Sequence, residues 1–172
     1  MQTQVHKILT GVVLLAITTV ISTFAQTTQT YPKLAGYVGI AHPIVTFSSD
    51  GTHTNFKDSY TIGMPIGINI WKSARIGFSS EIVPTIKATN SSSKVSNVLF
   101  HPGILVALGS GFTFAGRAAF ETSGRYGLTP VINKIVKKNK GCSYFVAIPL
   151  PARFGNDQPS SFGIGFQFGI AF

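Results

Sequence analysis

Reactive side chains are scarce in this chain, which has 4 His, 5 Asp and Glu and 1 Cys in 172 residues. A nucleophilic relay would need His42 or His101 beside a serine and beside Glu81 or Asp58, because the imidazole must take the hydroxyl proton while a carboxylate orients it. Serines are common enough here for such proximity to arise by chance, and His101 falls on the inward face of its strand, away from any lipid substrate. His42, His53 and His101 stand isolated, without the close ligand spacing of a metal site, so neither metal nor cofactor is expected. Cys142 cannot form an internal disulfide, and nothing around it reads as a catalytic thiol. What remains is a set of charges at strand-like spacing: Arg75, Glu81, Arg117, Glu121, Arg125 and Arg153. These read as structural, and the chain is expected not to be an enzyme.

The elements that position these charges are strands. Residues 162–172 read Phe-Gly-Ile-Gly-Phe-Gln-Phe-Gly-Ile-Ala-Phe, large and apolar at even positions, small or polar at odd ones. A period of two puts the two sets on opposite faces. The same alternation runs through the even positions from Tyr60 to Ile70. Ala74, Ile76, Phe78 and Ile82 share a face opposite Arg75, Gly77, Ser79 and Glu81. Val98 to Leu108, Phe112 to Phe120 and Tyr144 to Phe154 supply three more apolar faces, with Arg117 and Glu121 opposite the second. Within Leu34 to Phe47 the odd set, Tyr37 to Phe47, is preferred because it keeps His42 off the apolar side. An eighth strand over Thr129–Lys138 is required if a ring is to have both ends on one side, with Asn139-Lys140-Gly141 as its hairpin turn. The rival is a helix, since Thr129-Pro130 is a good helix start and Val131, Ile132, Ile135 and Val136 recur at helical spacing. The uncharged stretch Val95–Gly116 is long enough for a membrane helix, but Pro102 and a Gly-Ser-Gly fit two strands and a turn better.

Residues 1–25 carry a basic start (His6, Lys7), an apolar stretch from Ile8 to Ile21 and a small-residue exit before Gln26, the pattern of a cleaved secretory signal. An uncleaved anchor helix is the weaker alternative because Thr10, Gly11, Thr18 and Thr19 interrupt it. Residues 26–172 suffice for one domain. Charged residues are 11% of the chain, against about 25% in ordinary soluble domains. Lys and Arg outnumber Asp and Glu by 14 to 5, yet no basic helix, zinc spacing or RNA-binding aromatic signature accompanies them. Nucleic acid is therefore excluded in favour of anionic lipid headgroups or acidic glycans. Alternating segments of about 9–11 residues cross a hydrocarbon layer as tilted strands. Such strands must close into a ring, since unpaired backbone groups are costly there.

The expected fold is all-β, an eight-stranded antiparallel up-and-down transmembrane β-barrel, and residues 26–172 resemble the small bacterial outer-membrane barrels of the OmpA/OmpX type. The specific part of the resemblance is the closing strand, where Gly165, Phe166, Phe168, Ile170 and Phe172 match the signature that the barrel-assembly machinery recognises in that family. The Ala-Gln junction and the runs Trp71-Lys72-Ser73 and Arg153-Phe154-Gly155-Asn156 look like small barrel proteins of Bacteroidetes. The resemblance implies an outer-membrane location and a monomer in contact with outer-membrane lipid. Nothing in the chain resembles the His-Ser motif of the lipid A deacylases, which leaves a lipid-modifying enzyme as an alternative without a motif.

An eight-stranded ring is just wide enough for its own side chains to fill. The six charges then point inward and must pair, Arg75 with Glu121 or Glu81 with Arg117, to form a plug. A narrow ion path through that polar core is the alternative. Tyr37, Tyr60, Trp71, Phe112, Tyr144, Phe154 and Phe172 are expected in the interfacial girdles. Short turns near Lys72, Ser110 and Lys140 lie on one side. Longer loops near Thr52, Ser92, Tyr126 and Gln158 lie on the other, and the polar segments Ser48–Lys57 and Thr89–Asn97 are candidates for touching an acidic glycan or another surface ligand.

Overall fold

The computed structural model describes residues 30–57 and 59–172; the expected signal, residues 1–25, lies outside the described residues. Eleven strand segments follow one another: β1 (Lys33–Ser48), β2 (Gly51–Thr54), β3 (Tyr60–Gly63), β4 (Ile66–Trp71), β5 (Ile76–Ala88), β6 (Ser93–Gly109), β7 (Phe112–Glu121), β8 (Tyr126–Lys138), β9 (Ser143–Pro149), β10 (Ala152–Phe154) and β11 (Ser161–Ala171). No helix occurs among the described residues. β3 and β4 keep one register on β5, with Gly63 opposite Thr85 and Ile66 opposite Ile82, so they form a single stave interrupted at Met64 and Pro65. β9 and β10 do the same on β8, with Pro149 opposite Val131 and Ala152 opposite Leu128. Proline has no N–H for the ladder, which is why the segments break there. The carbonyls still accept, from Gly39 N to Pro65 at 2.9 Å and from Gly163 N to Pro151 at 2.7 Å.

Eight antiparallel staves result, with β2 folded back on the end of β1. The ring closes where β1 meets β11, from Tyr37 opposite Ala171 to Ser48 opposite Ser161. Phe172 lengthens this seam by exchanging two N–H···O bonds of 2.9 Å with Gly36. Ile66, Ile68, Phe78, Ile104, Leu128 and Ile148 each keep 50–58% of their surface exposed on the outer wall. At about 1.5–3 kcal/mol per such side chain left in water, this wall is built for hydrocarbon. The protein is an all-β transmembrane barrel.

One strand, β1, differs in face from its sequence reading, because of a bulge; β8 is the expected strand. In β1 the odd residues from Tyr37 to Pro43 pair with inward-facing positions of β11, and Tyr37 is only 4% exposed. The register shifts between Pro43 and Val45, so only Val45 and Phe47 of the expected odd face look outward. His42, expected off the apolar side, lies on it. There Tyr60 Oη sits 3.0 Å from its Nδ1, and the Phe168 ring stacks at 6.2 Å. A paired, half-buried imidazole is tolerable on an apolar wall where a bare one is not. In β8 the spacing that mimics a helix is two-sided: Val131 and Ile135 pair with the inward-facing Pro149 and Phe145, while Ile132 and Val136 are exposed.

The turns at Lys72–Arg75, Ser110–Gly111 and Asn139–Cys142 lie at one end. The other end is less open than the sequence implies. β5 and β6 stay paired out to Ala88 opposite Ser93, so the expected loop Thr89–Asn97 shrinks to four residues, and the chain near Tyr126 is a four-residue turn, Thr122–Arg125. Tyr37 and Trp71, expected in the girdles, belong to the interior instead. Trp71 packs against a buried cluster of Tyr37, Leu105, Ala115, Val131, Phe145 and Ala147 that fills the turn-side half of the ring.

Candidate functional site

Above that apolar cluster every stave sends a small or polar side chain inward, and the chemistry of the molecule concentrates in one belt. Glu81 on β5 is its centre. Its Oε2 accepts from Tyr37 Oη at 2.7 Å, and its Oε1 lies 2.9 Å from His101 Nδ1 and 3.1 Å from the Arg117 guanidinium. Arg117 also donates to Tyr37 Oη at 2.9 Å and to Ser79 Oγ at 3.3 Å. On the other side of His101, Nε2 lies 3.4 Å from Thr129 Oγ1 and 3.3 Å from the Arg153 guanidinium. Arg153 continues toward the loop end through a 2.6 Å bond from Nε to Glu121, whose second oxygen accepts from Asn97 at 2.7 Å and from Ser123 at 2.9 Å. One chain of contacts therefore runs from Tyr37, mid-barrel, to the rim.

Space for this network is made locally. Gly67 faces Tyr37, and a methyl group there would strike the phenol ring; a methyl at Gly103 would come within 2.7 Å of Arg117 Cγ. Both glycines stand opposite the residue they accommodate, in the pairs Tyr37–Gly67 and Gly103–Arg117. Side-chain donors and acceptors in the belt are largely matched; Arg117 Nε is a buried exception.

Of the six charges read from the sequence, the belt contains four. Glu81 meets Arg117, one of the two expected pairings. Glu121 meets Arg153 and not Arg75. Arg75 must be corrected: it is exposed in the short turn before β5, at the end opposite Glu121, because the inward row of β5 begins only at Gly77. Arg125 is half-buried at the loop rim and has backbone and hydroxyl partners, donating to Pro159 O at 2.8 Å and to Ser161 Oγ at 3.2 Å. Tyr37, expected in a girdle, joins the network, as do Ser79, Thr129 and Asn97, none of them expected to pair with the charges. The parity that placed Glu81 and Arg117 inside also carried Ser79, whereas Tyr37 was hidden by the bulge in β1.

Three spaces follow the axis. An open vestibule of about 730 Å³ at the loop end is lined by Asp50, His53, Lys57, Lys87 and Arg125 among others. A space of about 130 Å³ beneath it is bounded by Pro43, Pro65, Pro149 and Pro151 and floored by the belt. A third, of about 140 Å³, lies among Trp71, Leu105, Phe145 and Asn133. Arg117, Val131 and Gln167 border both lower spaces and so separate them. Glu81, His101 and Thr129 line up as carboxylate, imidazole and hydroxyl, but the Arg153 guanidinium shares His101 Nε2 with the hydroxyl. The three histidines of the described residues occupy different surroundings, His42 the outer wall, His53 the vestibule and His101 the belt. In the closing strand, Phe166, Phe168 and Ile170 face outward at 37–42% exposure, as does Phe172 beyond it, and Gly165 faces inward opposite Pro43.

No family model and no curated protein matches the chain. Among solved structures it is similar to the solution NMR structure of the de novo designed protein TMB2.3, at 13% identity and a TM-score of 0.50, over 85% of this chain and 97% of that one. A second likeness, to a structure described as the de novo design of transmembrane β-barrels, has 12% identity and a TM-score of 0.50, over 83% of this chain and 97% of that one. At such identity the likeness is one of fold, and the fold it shares is a small membrane-spanning β-barrel.

Proposed function

We propose that the protein is a non-enzymatic integral outer-membrane barrel of the OmpA/OmpX type, exported through a cleaved signal, with a structural role in the envelope and its loop end displayed for surface contacts. The observation that carries this reading is the filling of the ring. The belt of Glu81, His101, Arg117 and Arg153 crosses the interior from wall to wall, and the aromatic and aliphatic cluster closes the half below it. A lumen occupied by paired charges and packed rings is a plug, and a plug stiffens a ring that needs no channel. Monomeric assembly and recognition of β11 and Phe172 by the barrel-assembly machinery belong to the same proposal. So does contact of the basic vestibule residues Lys57 and Lys87 with acidic glycans.

The three stacked spaces favour a second reading, a narrow path for ions that opens when the belt rearranges. Single-channel recording in planar bilayers separates the two, run beside a comparison of boiled and unboiled gel mobility that certifies the closed ring. Heat-modifiable protein without conductance steps supports the plug. Reproducible steps from the same preparation would replace the structural role by conduction.

A further inference from the structure

Charge is segregated along the barrel axis. Among the described residues, the side-chain carboxylates of Asp50, Glu81, Glu121 and Asp157 all lie in the interior or toward the loop end. At the turn end, by contrast, the charged side chains of the described residues are all cationic. Lys33 begins β1, while Lys72 and Arg75 lie in the turn after β4. β8 and its turn add Lys134, Lys137, Lys138 and Lys140, and none of these four has an ion-pair partner among the described residues.

The placement of two of these lysines decides what they can meet. Lys134 lies opposite Phe112, its Nζ 4.1 Å from that ring's centroid and donating to the Ser110 carbonyl. The register of β8 on β9 then shifts between Ile135 and Lys137, with Val136 as the extra residue, and this puts Lys137 opposite the outward-facing Tyr144. Without that bulge Lys137 would continue the inward row of Asn133 and Ile135, against the apolar plug; re-aiming a side chain is what a bulge does. Lys134 and Lys137 thus share the outer wall, flanked by Phe112 and Tyr144 and bordered by Val136 and Leu108, both more than half exposed. Cations beside aromatic rings at the edge of an apolar band sit at headgroup depth, and their alkyl stems let the ammonium groups reach the phosphate layer.

We propose that Lys134 and Lys137, with Lys138 and Lys140 of the adjoining turn, form a docking surface for the phosphate headgroups of anionic phospholipids in the leaflet around the turn end. The proposal rests on the membrane placement of the ring and adds a headgroup preference to it. A soluble acidic glycan would meet the turn tip and have little use for Lys134, whose ammonium is held against the outer wall.

The test is the wild-type chain refolded into phosphatidylcholine bilayers with spin-labelled phosphatidylglycerol or spin-labelled phosphatidylcholine, the motionally restricted fraction being read by electron paramagnetic resonance. Phosphatidylglycerol should be favoured about threefold or more. The preference should fall to parity in Lys134→Gln/Lys137→Gln and survive both in Lys134→Arg/Lys137→Arg and in the loop-end control Lys57→Gln/Lys94→Gln. Equal association of the two lipids with wild type overturns the proposal, as does a preference that persists in the Gln variant. Lipid parity together with binding of a soluble acidic glycan lost in the same Gln variant assigns the surface to glycan and also overturns it. Failure of the wild type to insert into neutral bilayers, seen as identical boiled and unboiled mobility, would sink the membrane placement itself.

Discussion

The two halves of the barrel interior are solved by different physics. Toward the turns, Leu105, Val131, Phe145 and Trp71 fill the ring as any apolar core is filled, by shape. Toward the loops, Glu81, His101, Arg117, Arg153 and Glu121 fill it by partner, each charge held because another stands within hydrogen-bond reach. A shape-filled half degrades gradually when one residue is trimmed. A partner-filled half fails abruptly, because the residue left behind is a buried charge with nothing to answer it. The same ring thus contains a tolerant region and an exacting one, divided at Tyr37, whose ring packs on Phe145 while its hydroxyl serves Glu81.

The largest effect is expected from breaking the exacting half. Arg117→Met should lower the unfolding free energy by about 3–5 kcal/mol, because Glu81 loses its guanidinium partner. The paired change Arg117→Met/Glu81→Leu should recover much of that loss. Urea titrations in detergent micelles, followed by gel mobility, measure both. If the double variant proves no more stable than the single one, the belt is held by packing and not by charge pairing. Phe145→Ala probes the tolerant half. It should cost about 3 kcal/mol by opening a cavity, with no partner change that restores it except a larger neighbour. Arg75→Gln should shift the same titration by less than about 0.5 kcal/mol, as for other exposed positions; a loss comparable to that of Arg117 would mean that Arg75 reaches the belt after all.

Much of this arrangement was legible in the alternation of residue sizes. Inward placement of Glu81, Arg117, Glu121 and Arg153 follows from parity alone, because the apolar residues beside them leave only one face for a charge. The count of eight staves follows from closure, although β8 shows no clean alternation of its own. Its apolar residues serve both faces, Val131 and Ile135 inward and Ile132 and Val136 outward, and a two-sided strand reads like a helix until the ring demands it. What stayed hidden was whatever a bulge governs. One extra residue at Ile44 exchanges the faces of β1 midway, so neither set of positions describes the whole strand, and Tyr37 and His42 changed places relative to expectation. Arg75 was misplaced for a simpler reason, since alternation carried past the end of a strand has no meaning in a turn.

The seam between β1 and β11 joins the first stave of the ring to the last, with more than a hundred residues of chain between them. A zip of this kind cannot be partly done. An assembling chain that lacks only β11 is an open sheet with two bare edges, each a row of unpaired N–H and C=O groups in or near hydrocarbon, and it gains none of the protection that closure confers. The ladder between β1 and β11, with the Phe172–Gly36 bonds at its end, therefore fastens the molecule as a whole, and until it forms the other seven staves remain an adhesive surface.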